Sequence, residues 1–221
     1  MRRAGAEWYD RIAEKMEGYI KNWSSTKEGL SGEDVFKENL ISLLKTHPRV
    51  LDARCGHGEF TLKMSPFAAS IIGIDFSEQM IIKANELLHQ DKNIKISNVR
   101  FVYAKTKNLP FKEEQFDLIY SRRDPTSVIY DHRLLRPGGT IMGIHSQEKE
   151  KVLSRLHECK FRDIEVKEYV AYEYFPTVTD FAKFFSRMPG HPNYLDSCQQ
   201  EQLEQLVKRY KSDKGLCYPE Y

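Results

Sequence analysis

Residues 50–62 read VLDARCGHGEFTL, a short apolar run that ends on an acid, a turn with two glycines, and then the opening of a helix. Glycines at a strand-to-helix turn permit backbone conformations and close approaches that side chains block. The helix that follows presents free amide groups at its positive end. A ligand therefore belongs over this turn. A dinucleotide fingerprint would need a third glycine where Thr61 stands, which argues against a nicotinamide enzyme.

Downstream, short apolar runs alternate with helical stretches, the pattern of a parallel sheet built from βαβ units. After RVLDARCG (49–56) come SIIGIDF (70–76), VRFVYAK (99–105), FDLIYSR (116–122), TIMGIHS (140–146) and IEVKEYVAYEYF (164–175). The first five are apolar enough for burial on both faces. The sixth alternates and reads as an edge or antiparallel strand. Helices are expected to open near Glu59, Ser77, Thr126 and Gln147.

Upstream, Trp8, Ile12, Met16, Tyr19 and Ile20 lie at helical spacing, as do Val35, Phe36, Leu40, Leu43 and Leu44, with a Ser/Gly break over 23–32. Two helices are thus expected before the first strand. Beyond Pro176 the pattern is helical again through Phe181, Phe184, Phe185, Met188, Leu203, Leu206 and Tyr210. The expected organisation is an α/β domain over 1–175, with its core at 48–146, and a helical appendage over 176–221 packed on the same domain.

The second run ends at Asp75, placed to accept the two hydroxyls of a ribose lying across the strand ends. Phe76 and Met80 follow as apolar faces for a purine. The competing role for Asp75 is to cap the helix at Ser77.

VLDARCGHGEFTL, IIGIDFSEQM, NLPF (108–111), FDLIYS and LLRPGGTIMG, in this order, resemble class I S-adenosylmethionine-dependent methyltransferases over about residues 50–145. The resemblance implies a doubly wound, mainly parallel Rossmann-like sheet in the order 3-2-1-4-5-6, with N-terminal helices and a C-terminal helical lid. It implies S-adenosylmethionine as cofactor. Asp52, Gly56 and Gly58 would hold its methionine end, Asp75, Phe76 and Met80 its nucleoside, and Lys105 and Thr106 its adenine, with Arg54 and Ser121 beside them. The chain departs from the family pattern at Arg54, where a glycine is usual, and at Lys105, where an acid is common. Those departures leave a second reading, a ligand-binding protein that has lost catalysis. The family's seventh, antiparallel strand is expected to be absent, or reduced to a vestige at 216–221.

The fourth run leads into Tyr120-Ser121-Arg122-Arg123-Asp124-Pro125, at the mouth where an acceptor would lie. Arg122 and Arg123 suit a carboxylate or phosphate on that acceptor, or pair internally with Asp124 or Asp131. Tyr120, His132 and His145 are the candidate catalytic groups, with His145 directly after the fifth strand. His57 points to solvent or touches the cofactor's edge. Phe184 and Phe185 either line an apolar acceptor pocket or pack their helix. The expected acceptor is a small molecule, anionic or partly apolar.

Composition sets the outer bounds. The chain has 221 residues, with 34 Lys+Arg against 32 Asp+Glu for a net charge of +2, so no single-sign field marks it as a nucleic-acid binder. Cys55, Cys159, Cys198 and Cys217 are too dispersed for a metal site or a disulfide framework. No stretch reaches the roughly 18 apolar residues of a membrane span, and the amino terminus lacks a signal peptide's apolar centre. A cytoplasmic protein is expected, one that can pair with another molecule through an uncovered sheet edge.

Overall fold

Val50 and Leu51 are adjacent in sequence, yet they face opposite layers, and the same is true of Leu118 and Ile119. This period-two alternation, with both faces apolar, makes a central strand covered by helices on either side. The computed structural model describes residues 21–90, 96–104, 109–122, 126–145, 148–188 and 190–221. The first strand is β1 (Thr26–Gly29), followed by α1 (Gly32–Leu44), β2 (Arg49–Ala53), α2 (Glu59–Met64) and β3 (Ser70–Asp75). Next come α3 (Glu78–Gln90), β4 (Val99–Tyr103), β5 (Phe116–Arg122), β6 (Leu135–Ile144) and α4 (Lys149–Glu158). The chain finishes with β7 (Ala171–Phe175), α5 (Val178–Ser186), α6 (Gln200–Tyr210), β8 (Lys211–Ser212) and β9 (Gly215–Glu220).

Five strands form one parallel sheet in the order β4-β3-β2-β5-β6, which is the expected 3-2-1-4-5 winding. Phe36, Leu40 and Leu44 of α1, with Ile81 and Ala84 of α3, cover one face through Val50, Ile71, Val99, Leu118 and Tyr120. The other face buries Leu51, Ala53, Ile74, Phe116 and Ile119 beneath Val128 and Leu134. Burying side chains of this size stabilises each by about 1.5–3 kcal/mol. Val128 and Leu134 lie in a 3-10 segment, Thr126–Leu134, where an ordinary helix was expected.

The described residues separate into two compact units, 33–167 and a second made of 21–32 with 168–221. In this second unit the structure departs from the sequence reading. The expected sixth strand begins only at Ala171 and does not join the parallel sheet. It pairs antiparallel with β1 and β9, in the order β1-β7-β9-β8. The segment after 175 is therefore not wholly helical, and its last strand pairs with β7 rather than closing the large sheet.

The reason is local. Phe175, Phe181, Ala182, Phe185 and Tyr194 make a core of their own, to which Leu216 and Tyr218 of β9 are added. β1 reads Thr-Lys-Glu-Gly and is exposed throughout, so no apolar pattern announced it. Pro219 lies beyond the two residues of β9 that β8 covers, where one edge needs no donor. The helix expected over 7–20 lies outside the described residues. Among the described residues, no helix is long and apolar enough to cross a membrane.

At the amino ends of the large sheet, buried Asp117 accepts from the backbone N–H of Arg49 (2.9 Å), from its Nε (3.1 Å) and Nη2 (2.9 Å), and from Nε of Arg136. Hydrogen bonding to Arg49 holds the Asp117 carboxyl well below the usual carboxylate range. A depressed folded value stabilises above the unfolded value near 4 and is lost as pH falls through and below it. Asp117→Asn should lower the melting temperature by about 3–6 °C at pH 7. It should also flatten the loss of stability below pH 4, as followed by circular dichroism.

Candidate functional site

The turn after β2 is fastened to the end of β3. The backbone N–H groups of Arg54 and Cys55 both donate to the Ile74 carbonyl, at 2.8 and 2.9 Å. The N–H of Gly56 donates to Oδ2 of Asp75 (3.1 Å), whose Oδ1 accepts from the N–H of Ser77 (2.9 Å). Asp75 thus belongs to the turn and to the start of α3 together, which includes the capping role that the sequence offered. Ser77 Oγ in turn accepts from the N–H of Met80 (3.2 Å). Burial pushes the Asp75 carboxyl up, while its backbone donors and the charge of Arg54 oppose the shift.

Gly56 and Gly58 have φ of 56° and 82°, in the left-handed region that favours glycine. A Cβ on Gly58 would also stand 2.5 Å from Cζ of Phe101 and 2.9 Å from Cβ of Ala84. The role of Gly58 is therefore to let the turn close onto the sheet. Arg54 has φ 83° and carries a side chain there, a conformation that costs roughly 1 kcal/mol outside glycine. Its guanidinium lies over the Phe76 ring, 4.5 Å from the centroid.

Beneath the turn, the Asp52 carboxylate is buried and accepts from Thr61 Oγ1 (2.5 Å) and from the Tyr120 hydroxyl (2.8 Å). Burial raises the Asp52 carboxyl to about 6 against those two donors, and it raises Tyr120 as well. Tyr120, expected as a catalytic group, is fully buried with its hydroxyl donated to Asp52, where it braces the turn from beneath. Met80 and Ser121 are equally enclosed, at 0 and 1% exposure. Their side chains face the packed interior, unlike the exposed faces that the sequence reading had expected of them. In the triad Asp52–Thr61–Tyr120, Thr61 had entered the sequence reading only as a missing glycine.

Arg122 sits at the carboxyl end of β5. Its Nε and Nη2 donate to Oε2 of Glu33 (3.1 and 2.9 Å), and its guanidinium lies 3.9 Å from the Phe60 centroid. Its internal partner is Glu33, at the start of α1, a pairing the sequence did not suggest; Asp124 lies outside the described residues. His57 is largely enclosed, 3.5 Å from Glu59, and burial lowers its imidazole below the ordinary histidine value.

His145 follows β6 at the ligand-facing end of the sheet, with its ring folded over Gly143. A Cβ on Gly143 would stand 2.5 Å from Nε2 of His145. His132 is exposed, packs edge-on to Phe161 at 6.3 Å, and lies three residues before the amino end of β6. The structure does not bring it to the turn. Phe184 and Phe185 stack on Phe175, Phe181, Tyr210 and Tyr218 in the smaller unit, which is the packing role. Lys105, Thr106 and Arg123 lie outside the described residues.

These residues fit the cofactor that the resemblance implies. Gly56 takes a left-handed φ that keeps a side chain off the turn, and Asp75 is an acceptor fixed at the strand end by backbone donors. Phe76 supplies the neighbouring ring. No group of three or more His, Cys, Asp or Glu side chains placed to hold a metal ion occurs among the described residues.

Comparison with known proteins agrees. The profile of a family described as a methyltransferase domain matches residues 44–211. An uncharacterised methyltransferase, YcgJ of Bacillus subtilis, is 34% identical over 107 residues, 45% of this chain and 41% of that protein. A demethylmenaquinone methyltransferase of Lactococcus lactis is 27% identical over 170 residues, 68% of this chain and 66% of that one. The matched stretch spans about two fifths to one half of the leading curated relatives. Among solved structures, a Deinococcus radiodurans protein of unknown function shares the fold at a TM-score of 0.67 and 24% identity, covering 97% of this chain and 95% of that one.

Because burial raises Asp52, the folded state binds its proton more readily than the unfolded chain does. The resulting cost is full above pH 6 and vanishes as pH falls towards 4. Asp52→Asn should therefore gain stability relative to the parent on going from pH 4 to pH 8, by up to about 3 kcal/mol. Urea unfolding of the cofactor-free proteins at both pH values measures it. Equal differences at the two pH values would refute the assignment.

Proposed function

Because the chain belongs to the methyltransferase domain family, we propose that it transfers the methyl group of S-adenosylmethionine to a small-molecule acceptor that is partly apolar. The cofactor supplies a methyl group on a positively charged sulfur, open to direct displacement by a nucleophile. What the chain must add is alignment and exclusion of water. Asp75 takes the ribose hydroxyls, and the backbone at Gly56 receives the methionine portion. The buried Asp52–Thr61–Tyr120 group keeps the turn from shifting beneath them. His145, at the carboxyl end of β6, takes the acceptor's proton where the acceptor carries one.

The observation that carries the choice of acceptor is the state of Arg122. Its charge is already answered by Glu33 and its flat face lies on Phe60, so the mouth beside β5 presents an aromatic wall and a neutralised cation. Releasing Arg122 to grip a carboxylate would break two charge-assisted hydrogen bonds. A partly apolar acceptor needs no such rearrangement. The relative named for demethylmenaquinone supports the same class. The reading as a protein without catalysis gains nothing from relatives named for methyl transfer.

The test is formation of S-adenosylhomocysteine from labelled cofactor with two acceptor panels. One holds short-chain demethylmenaquinone and simple phenols, and the other holds amino acids and small carboxylic acids. Turnover is expected with the first panel, and Glu33→Gln should leave it within about threefold. Turnover confined to the carboxylates would reverse the proposal.

A further inference from the structure

The sequence places a long cation where the backbone of this turn ordinarily carries no side chain, and the structure shows where that cation goes. The N–H of Arg54 is tied to the Ile74 carbonyl at 2.8 Å, so its Cα cannot move away from the end of β3. Its left-handed φ of 83° turns the side chain along the strand ends, and the guanidinium comes to rest on Phe76, two residues beyond Ile74. Two acids answer its charge, since Arg54 acts electrostatically on both Asp75 and Asp131. The arrangement is thus a seated cation with an aromatic floor and acidic surroundings.

Phe76 is also the ring directly after the acid that receives the ribose. A purine joined to a ribose at Asp75 falls within reach of that ring, while Met80, the other apolar residue that the sequence offered, is fully enclosed. Guanidinium and purine each favour the face of an aromatic ring, and one face holds one of them.

We propose that Arg54 sets the affinity for the cofactor by occupying, in the cofactor-free protein, the face of Phe76 that the purine takes on binding. This rests on the reading of the site as one for S-adenosylmethionine. Arg54 is accordingly a residue of cofactor recognition that acts by competition at the nucleoside end. Loss of its stack therefore tightens binding of anything that carries adenosine, whatever the charge on the sulfur.

The charge on sulfur is what makes the test discriminating. Isothermal titration of the folded, cofactor-free protein with adenosine, S-adenosylhomocysteine and S-adenosylmethionine gives three dissociation constants. Arg54→Gly should lower all three by a similar factor of about ten, the scale of one cation–aromatic contact. Tightening of S-adenosylmethionine alone would mean that Arg54 acts through charge on the sulfonium, and would overturn the proposal. So would weaker binding of all three, which would make Arg54 a direct contact.

In a Phe76→Leu background the same Arg54 substitution should change affinity by less than about twofold, since the shared face is gone. A second readout needs no turnover. The Nε–H resonance of Arg54, shifted by the Phe76 ring in the free protein, should move towards its unstacked position when S-adenosylhomocysteine is added. An unmoved resonance in a protein that binds the ligand refutes the competition. If neither the parent nor Arg54→Gly binds any of the three ligands while both melt cooperatively, the cofactor reading falls and this proposal falls with it.

Discussion

The end of β3 is the point on which the site depends. One carbonyl, that of Ile74, accepts from two successive N–H groups of the glycine turn, and the next residue's carboxylate accepts from a third. The turn is thereby anchored to the neighbouring strand as well as to its own. The same carboxylate accepts from the N–H of Ser77, so α3 starts in fixed relation to the turn. An N–H group that the start of α3 would leave unmet is satisfied by Asp75, and the turn and the helix start are fixed together. A buried carboxylate is costly unless hydrogen-bonded, and here those bonds give the site its shape.

Asp52 repeats the logic one layer down. Thr61 reaches it from α2 and Tyr120 from β5, so three elements meet at one carboxylate under the turn. The triad stands within the apolar layer of Phe36, Phe60 and Val50, where lost solvation makes each bond count for more. The two acids differ in surroundings. Asp75, at the strand end, is met by backbone donors, and Asp52, in the core, by hydroxyl donors.

The parallel sheet was legible because its three central strands are short apolar runs buried on both faces, which leaves a mark in sequence, while the edge strands β4 and β6 are part-exposed and were read by their place in the alternation. The second unit was not. β1 is four exposed residues with no pattern to read, and β9 contains Pro219, which argues against a strand until its open edge is known. The period of β7 suited an antiparallel edge, yet nothing in it named β1, which lies far earlier in the chain, as its partner. At the turn, Asp52, Gly56 and Asp75 could be singled out from type and spacing, while their hydrogen-bond partners could not. Depth was not legible. Met80, Ser121 and Tyr120 occupy positions next to ligand-facing residues but point inward, and one step along a strand or helix exchanges the two. Arg122 shows the other limit, because its partner Glu33 comes from an element 89 residues away in the chain.

Phe101 has a consequence for how such a chain can change over time. Its ring fills a slot bounded by two backbones at once, for a Cβ on Gly58 or on Gly73 would come within 2.5–2.7 Å of it. Enlarging either glycine is blocked while the ring is present, and shrinking the ring leaves a void while both glycines remain. The three positions form a lock that single substitutions cannot open. A lineage leaving this arrangement must pass through a poorly packed intermediate, so the turn is held in place by the history open to its sequence as much as by its own hydrogen bonds.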